Sequence, residues 1–89
     1  MQLPKLKVLA EAGAVREVEV IHDQAAGGWT VQVTYASRHG ERREVLERQR
    51  GGARVFTTLD AVARALAGLG LTVFRVNATG LAGAVEDPP

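Results

Sequence analysis

The stretch that decides the fold is Trp29-Thr30-Val31-Gln32-Val33-Thr34-Tyr35. Its aromatic and valine residues alternate strictly with threonine and glutamine. Because successive side chains of a strand point to opposite faces, this pattern predicts a half-buried antiparallel strand. The fold must therefore contain a sheet with one apolar face that other elements cover.

A second strand is predicted just before this one, over residues 15–22. Val18 and Val20 share one face of it, whereas Glu17 and Glu19 share the other. The segment that connects the two strands ends in Gly27 and Gly28. Glycines are free to adopt positive φ in a hairpin turn.

The segment that follows allows two interpretations. Residues 41–49 are mostly charged around a Val45-Leu46 centre, and their propensities permit a short helix. We favour a third strand, because a meander is the simplest continuation of two paired strands. A brief extra strand is also predicted over residues 54–56.

Two helices and a last strand complete the pattern. Leucines at helical spacing predict the first helix over residues 3–12. The second begins near Thr57, where a threonine followed three residues later by Asp60 approximates a capping box. Its apolar stripe consists of Leu59, Val62, Ala63, Leu66 and Leu69. The last strand is predicted over residues 71–77.

The sequence therefore predicts an α+β fold in the order α-β-β-β-α-β. A three- to four-stranded antiparallel sheet would carry both helices on one face. Residues 1–80 would form a single domain, and residues 81–89 a flexible C-terminal tail. The predicted inner face consists of Val18, Val20, Trp29, Val31, Val33, Val55 or Phe56, Phe74 and Val76.

Composition limits the classes of function. The chain has 89 residues, a net charge of +1 and no cysteine, which excludes a uniformly basic polyanion-coating protein and thiol chemistry. The chain shows no apolar run of the roughly 18 residues that a membrane helix needs. The first residues lack the features of a secretory signal, so we expect a cytoplasmic protein without a membrane partner.

Catalytic signals are sparse. His22 and His39 stand beside turns without a partner at metal-ligand spacing, and Ser37 lacks a nucleophile motif. The glycine pairs lack the lysine of a phosphate-binding loop. We therefore expect a protein that is not an enzyme and that needs no metal or cofactor.

The main functional signal is an excess of arginine in residues 38–54. This segment holds six arginines and three glutamates, a formal charge of +3 within a chain of net charge +1. Guanidinium groups on a β-ribbon can contact phosphates or base edges of DNA. The candidate DNA-binding residues are Arg42, Arg43, Arg48, Arg50 and Arg54. The alternative is a solvated strand in which arginine and glutamate pair with each other.

The order of several short motifs resembles the ParC-type partition-associated small proteins of plasmids and integrative elements. The motifs are Leu3-Pro4-Lys5, residues 11–16, Gly27-Gly28-Trp29, Gln49-Arg50-Gly51, residues 54–60 and residues 69–76. The resemblance covers about residues 3–80. It implies a role in the maintenance or regulation of a mobile element, with a partition or replication protein as a candidate partner.

A looser similarity links the chain to the arm-type DNA-binding domains of integrases. Those domains also have a three-stranded sheet followed by a helix, and the stretches Trp29–Val33 and Phe56–Thr58 fit their outline. Two functions thus stand open. One is an accessory factor that binds DNA or a DNA-bound partner through the arginine-rich hairpin. The other is a protein-interaction or inhibitor module that acts by strand addition or as a small homodimer, without DNA contact.

Overall fold

The helices and strands follow the predicted order. A computed structural model describes residues 1–82 of the chain. The elements are α1 (Leu3–Glu11), β1 (Val15–Asp23), β2 (Gly28–Ser37), β3 (Gly40–Val45), α2 (Leu59–Ala67), β4 (Arg75–Asn77) and α3 (Thr79–Ala82). Residues 41–45 are thus part of a strand, as we favoured, but residues 46–49 are not. The last strand is shorter than predicted, no separate strand forms over residues 54–56, and α3 follows β4.

The sheet has the strand order β3-β2-β1-β4. Strand β2 pairs antiparallel with both β1 and β3, whereas β4 pairs parallel with β1. The α+β class is therefore confirmed, and the sheet is mostly antiparallel rather than wholly so. The last strand is parallel because α2 carries the chain back across the sheet before β4 begins, which is the crossover that parallel pairing requires.

The core lies between one face of this sheet and the first two helices. Val18 pairs with Val33 and Val20 with Val31, and all four valine side chains are buried. Both helices contribute to the same cluster, as predicted. Their fully buried members are Leu6 of α1 and Val62 and Leu66 of α2.

The predicted inner face is correct at its centre and wrong at its edge. Trp29 and Phe56 are buried, and Phe74 packs against the cluster while remaining partly exposed. Of the two alternatives Val55 and Phe56, Phe56 is therefore the inward residue. By contrast, Val76 is 45% exposed. Val76 belongs to a three-residue strand at the sheet edge, where the core is incompletely covered.

The chain between β3 and α2 is fixed at both ends. The Leu46 amide donates to the Val31 carbonyl at 2.8 Å, and Leu46 is buried. Further on, Phe56 and Trp29 exchange backbone hydrogen bonds of 2.7 and 2.8 Å. This pairing requires glycine at position 28, because a Cβ there would lie 2.4 Å from the Phe56 oxygen. Residues 47–54 therefore form a loop anchored to the central strand.

The C-terminal end is described only in part. Helix α3 includes Leu81 and Ala82, the first residues of the predicted tail, and residues 83–89 lie outside the described part of the chain. Within residues 1–82, none of the helices has the length and apolar character needed to traverse a bilayer.

Candidate nucleic-acid interface

The structure divides the five predicted arginines among three places. Arg42 and Arg43 are consecutive in β3, so their side chains take opposite faces of the sheet. Arg42 pairs with Tyr35 and lies on the side of the helices, whereas Arg43 pairs with Thr34 on the open face. The remaining arginines, Arg48, Arg50 and Arg54, belong to the loop of residues 47–54.

Arg43 belongs to a network of charges on the open face. Its guanidinium donates to the Glu19 carboxylate and to the Gln32 side chain. On the other side of β1, Arg75 contacts Glu17 at 2.9 Å. The two glutamates of β1 thus lie between arginines of β3 and β4, and the charges of this face compensate each other.

Glu44 is bound by groups outside the arginine segment. The Tyr35 hydroxyl donates to its carboxylate, and the Lys5 ammonium lies 3.2 Å from it. The hydrogen bond from Tyr35, together with Lys5, lowers the pKa of Glu44 from 4.5 to about 2. The pKa of Lys5 is raised by its hydrogen bond to the Tyr35 hydroxyl, 3.0 Å away, and by its contact with Glu44. Glu44 is therefore ionised at neutral pH and is compensated by a cation of α1.

Glu47 is compensated in the same way, because the Met1 ammonium lies 2.9 Å from its carboxylate. The glutamates that alternate with the arginines in sequence could have cancelled their charge. Instead, two of the three, Glu44 and Glu47, pair with cations from the beginning of the chain. Within residues 1–82, the arginines without a carboxylate partner in this segment include Arg42, Arg48, Arg50 and Arg54.

The loop of residues 47–54 is closed by a tight turn. The Arg48 amide donates to the Gly52 carbonyl at 2.9 Å, and the Gly51 amide donates back to the Arg48 carbonyl at 3.0 Å. Gly51 and Gly52 have φ values of +88° and +78°, a conformation that favours glycine. The Gly51-Gly52 pair thus sets the shape of the loop that presents the arginines.

Two arginine side chains of this loop are held in place. The Arg48 Nε donates to the Gly51 carbonyl at 3.2 Å, and its Nη2 would lie 3.0 Å from a Cβ at Gly52. The Arg54 guanidinium lies over the Phe56 ring, 4.7 Å from its centroid, in a cation–π contact. Neither interaction uses a carboxylate, so both guanidinium groups keep donors for an external anion.

Arg48 and Arg54 border a cleft of about 380 Å³ between the start of α1 and the loop. Its lining consists of Gln2, Leu3, Pro4, Glu47, Arg48, Gln49 and Arg54. The Gln2 side-chain amide donates to the Gln49 carbonyl at 3.0 Å and ties the two walls together. The cleft thus combines an apolar wall with two guanidinium groups.

Sequence reasoning missed the wall that α1 contributes to this cleft. Gln2 contacts a residue 47 positions away, and nothing in the local pattern signals such a contact. Leu3 gives no local signal either, because in the sequence it belongs to the leucine stripe of α1, whereas in the structure it is exposed and does not join the core cluster. The candidate arginines could be found from composition. Which of them pair with a carboxylate, and which do not, could not be found in this way.

The two histidines, His22 and His39, do not belong to a cluster of potential metal ligands within residues 1–82. His22 lies edge-on to the Trp29 ring, with the ring centroids 4.9 Å apart. In the part of the chain that the structure describes, no three His, Asp or Glu side chains come together in a way that could hold a metal ion.

These features define a small α+β domain with a mixed four-stranded sheet and a loop that presents arginines. A family model described as ParC-like matches residues 2–83, and the chain belongs to this ParC-like family. The resemblance drawn from the order of the sequence motifs is thereby confirmed. Searches of curated proteins and of solved structures returned no significant match.

Proposed function

We propose that the protein is a non-enzymatic accessory factor of a mobile element, active in its partition, maintenance or regulation. It binds DNA, or a partner already bound to DNA, through arginines that have no carboxylate partner within residues 1–82. We define the arginine surface by Arg42 on the helix side of β3 together with Arg48, Arg50 and Arg54 of the loop of residues 47–54. Membership of the ParC-like family supports the accessory role associated with plasmids, and the charges of the surface support the contact with DNA.

One observation carries this proposal. The four arginines have no carboxylate partner within residues 1–82, while Glu44 and Glu47 are held by Lys5 and by the Met1 ammonium. The glutamates interspersed among these arginines argue against a phosphate contact, because a free carboxylate repels phosphate. Their compensation by other cations weakens that argument, since a compensated carboxylate repels phosphate less than a free one. Arg43 is not included, because it already pairs with Glu19.

Salt dependence tests the contact with DNA directly. If the four arginines each neutralise one phosphate, the logarithm of the binding constant for duplex DNA should fall against the logarithm of salt concentration with a slope near −3.6. The slope should become shallower by about 0.9 in each single variant that replaces one of these arginines by alanine. Fluorescence anisotropy of a labelled duplex between low and moderate salt would measure it.

The matched control is Arg64→Ala, which removes the same charge from the exposed side of α2. It should leave the slope unchanged. Failure of the protein to bind either duplex or single-stranded DNA at low salt would refute direct contact with DNA, and so would binding that does not respond to salt.

A second candidate function is a protein-interaction module that acts by strand addition. Strand β4 lies at an edge of the sheet, and Val73 and Val76 beside this edge are 88% and 45% exposed. The opposite edge, β3, carries the charged run from Glu41 to Glu44, which disfavours strand addition there.

Light scattering coupled to size exclusion separates this candidate from the first. A dimer that dissociates in Val76→Lys would favour strand addition at β4, because a lysine on an edge opposes pairing. A monomer at all concentrations would count against the homodimer. The Glu41→Lys variant on the β3 edge is the control and should not change the oligomeric state.

A further inference from the structure

We propose that the cleft between the start of α1 and the loop of residues 47–54 binds one unstacked nucleotide of single-stranded DNA. This inference rests on the proposed function and adds to it a preference for single-stranded over duplex DNA. The phosphate would contact Arg48 and Arg54, and the base would lie against Leu3 and Pro4.

The size of the cleft favours one nucleotide. Its volume of about 380 Å³ falls at the lower end of the roughly 300–1,000 Å³ that small-molecule sites enclose. A base within a duplex is stacked and paired, so it cannot enter a cleft of this size without leaving the helix. A base of a single strand is already free to do so, and unstacked bases are the usual targets of such sites.

The two guanidinium groups are pre-oriented. Arg48 is oriented by its hydrogen bond to the Gly51 carbonyl, and Arg54 is oriented by the ring of Phe56. An arginine held in this way loses less conformational freedom when it binds a phosphate oxygen. A guanidinium plane that is packed on an aromatic ring is also a surface on which a base can stack.

The rest of the lining suits the base. Leu3 and Pro4 provide apolar surface at the first turn of α1. The Gln2 amide is already bound to the Gln49 carbonyl, whereas the Gln49 side chain has no hydrogen-bond partner among residues 1–82. An amide of this kind can both donate to and accept from a base edge. The one acid in the cleft, Glu47, is compensated by the Met1 ammonium.

The test compares single-stranded with duplex DNA in variants that preserve charge. A labelled 12-residue oligothymidine and a 12-base-pair duplex would be titrated by anisotropy with the full chain. In Arg48→Lys and Arg54→Lys the charge stays, but the planar fork is lost. We expect single-strand affinity to fall about tenfold, the loss of roughly one charge-assisted hydrogen bond to the phosphate, while duplex affinity changes less than about twofold.

Two controls define the baseline. Arg64→Lys makes the same replacement far along the chain, on α2, and should change neither affinity. Arg50 lies in the same loop but outside the cleft. Any change of affinity in Arg50→Lys should therefore be equal for single-stranded and duplex DNA. Circular dichroism of each variant would show that the fold is kept.

Chemical-shift mapping with the same oligonucleotide adds a readout that does not depend on variants. The resonances of Leu3 and Gln49 should shift with oligothymidine, and thymidine monophosphate alone should shift them at higher concentration. If only the monophosphate shifts them, the cleft binds free nucleotides, and the preference for single-stranded DNA is overturned.

The remaining outcomes separate this inference from the proposed function. Equal losses for single strand and duplex, without shifts in the cleft, overturn the nucleotide site and leave the arginine surface in place. Binding to neither DNA overturns the nucleotide site together with the direct contact with DNA in the proposed function. Shifts of the cleft resonances by an oligoglutamate peptide but not by DNA would assign the cleft to an acidic protein segment and overturn the nucleotide site.

Discussion

Among single residues, Glu44 is the clearest case of a charge that serves the fold. Its carboxylate accepts a hydrogen bond from the Tyr35 hydroxyl and lies 3.2 Å from the Lys5 ammonium. These contacts lower its pKa from 4.5 to about 2. A carboxyl group whose pKa is lowered by folding stabilises the native state above its unfolded pKa, and the contribution is lost as the pH falls through the folded pKa. Glu44 should therefore stabilise the protein above about pH 4.5 and lose this effect towards pH 2.

We expect Glu44→Gln to lower the free energy of unfolding by about 1 kcal/mol at pH 7, since the partly exposed ion pair is screened by solvent. The difference from the wild type should become smaller at pH 2.5, because Glu44 is already protonated in the unfolded chain at this pH and folding must remove that proton. Urea denaturation at the two pH values would measure it. The control is Glu41→Gln, an exposed glutamate of the same strand, which should have little effect at either pH. A difference that is equal at both pH values would show that Glu44 does not act through its charge.

At the level of elements, the start of α2 shows how a small sequence signal fixes a helix. The N-cap is Thr58, whose Oγ1 accepts a hydrogen bond from the Ala61 amide at 3.1 Å. The predicted capping box placed this role on Thr57, one residue too early. The backbone of Thr58 is extended, with φ −131° and ψ 152°, as an N-cap requires.

Replacement of Thr58 by alanine should therefore cost about 1 kcal/mol of stability, because the Ala61 amide loses its acceptor. Thr58→Ser retains the hydroxyl and should restore most of it. Thr57→Ala makes the same chemical change one residue earlier and should stay within about 0.5 kcal/mol of the wild type. Thermal or urea unfolding of the three variants would test this; a larger loss at Thr57 than at Thr58 would contradict the assignment of the cap.

Elements with a long, regular pattern could be predicted from the sequence. The alternation from Trp29 to Tyr35 and the leucine and valine stripes of the two helices each repeat over several residues, so the burial of one face leaves a clear trace. Strand β4 has only three residues and lies at an edge, so its direction leaves no such trace. Its parallel pairing depends on the path of the chain through α2.

The same reason limits what could be predicted about the site. The arginine excess is a local property and is visible in the sequence. Whether each arginine is engaged depends on distant residues, because Glu19 lies 24 positions from Arg43 and Lys5 lies 39 positions from Glu44. The alternative reading of the segment assumed that its own arginines and glutamates pair. The structure instead pairs Arg43, Glu44 and Glu47 with groups elsewhere in the chain.

For the whole molecule, the net charge of +1 conceals two different surfaces. On the open face of the sheet, Arg43 and Arg75 compensate Glu19 and Glu17. On the arginine surface, the cations of the loop have no carboxylate partner within residues 1–82. Charge on the first surface stabilises the sheet, whereas charge on the second remains available for an anionic partner.

This division predicts that two arginine variants that remove the same charge change different quantities, one the free energy of unfolding and the other the salt slope of DNA binding. Arg43→Gln should lower the free energy of unfolding by about 1 kcal/mol, because Glu19 is largely buried and would lose its cation, and should leave the salt slope of DNA binding unchanged. Arg50→Gln should leave unfolding unchanged, since Arg50 is exposed, and should make the slope shallower by about 0.9. Urea denaturation and salt titration of both variants would measure the two quantities. If Arg43→Gln reduced the slope as much as Arg50→Gln, the open face would belong to the DNA-binding surface, and the division of charge between the two faces would be wrong.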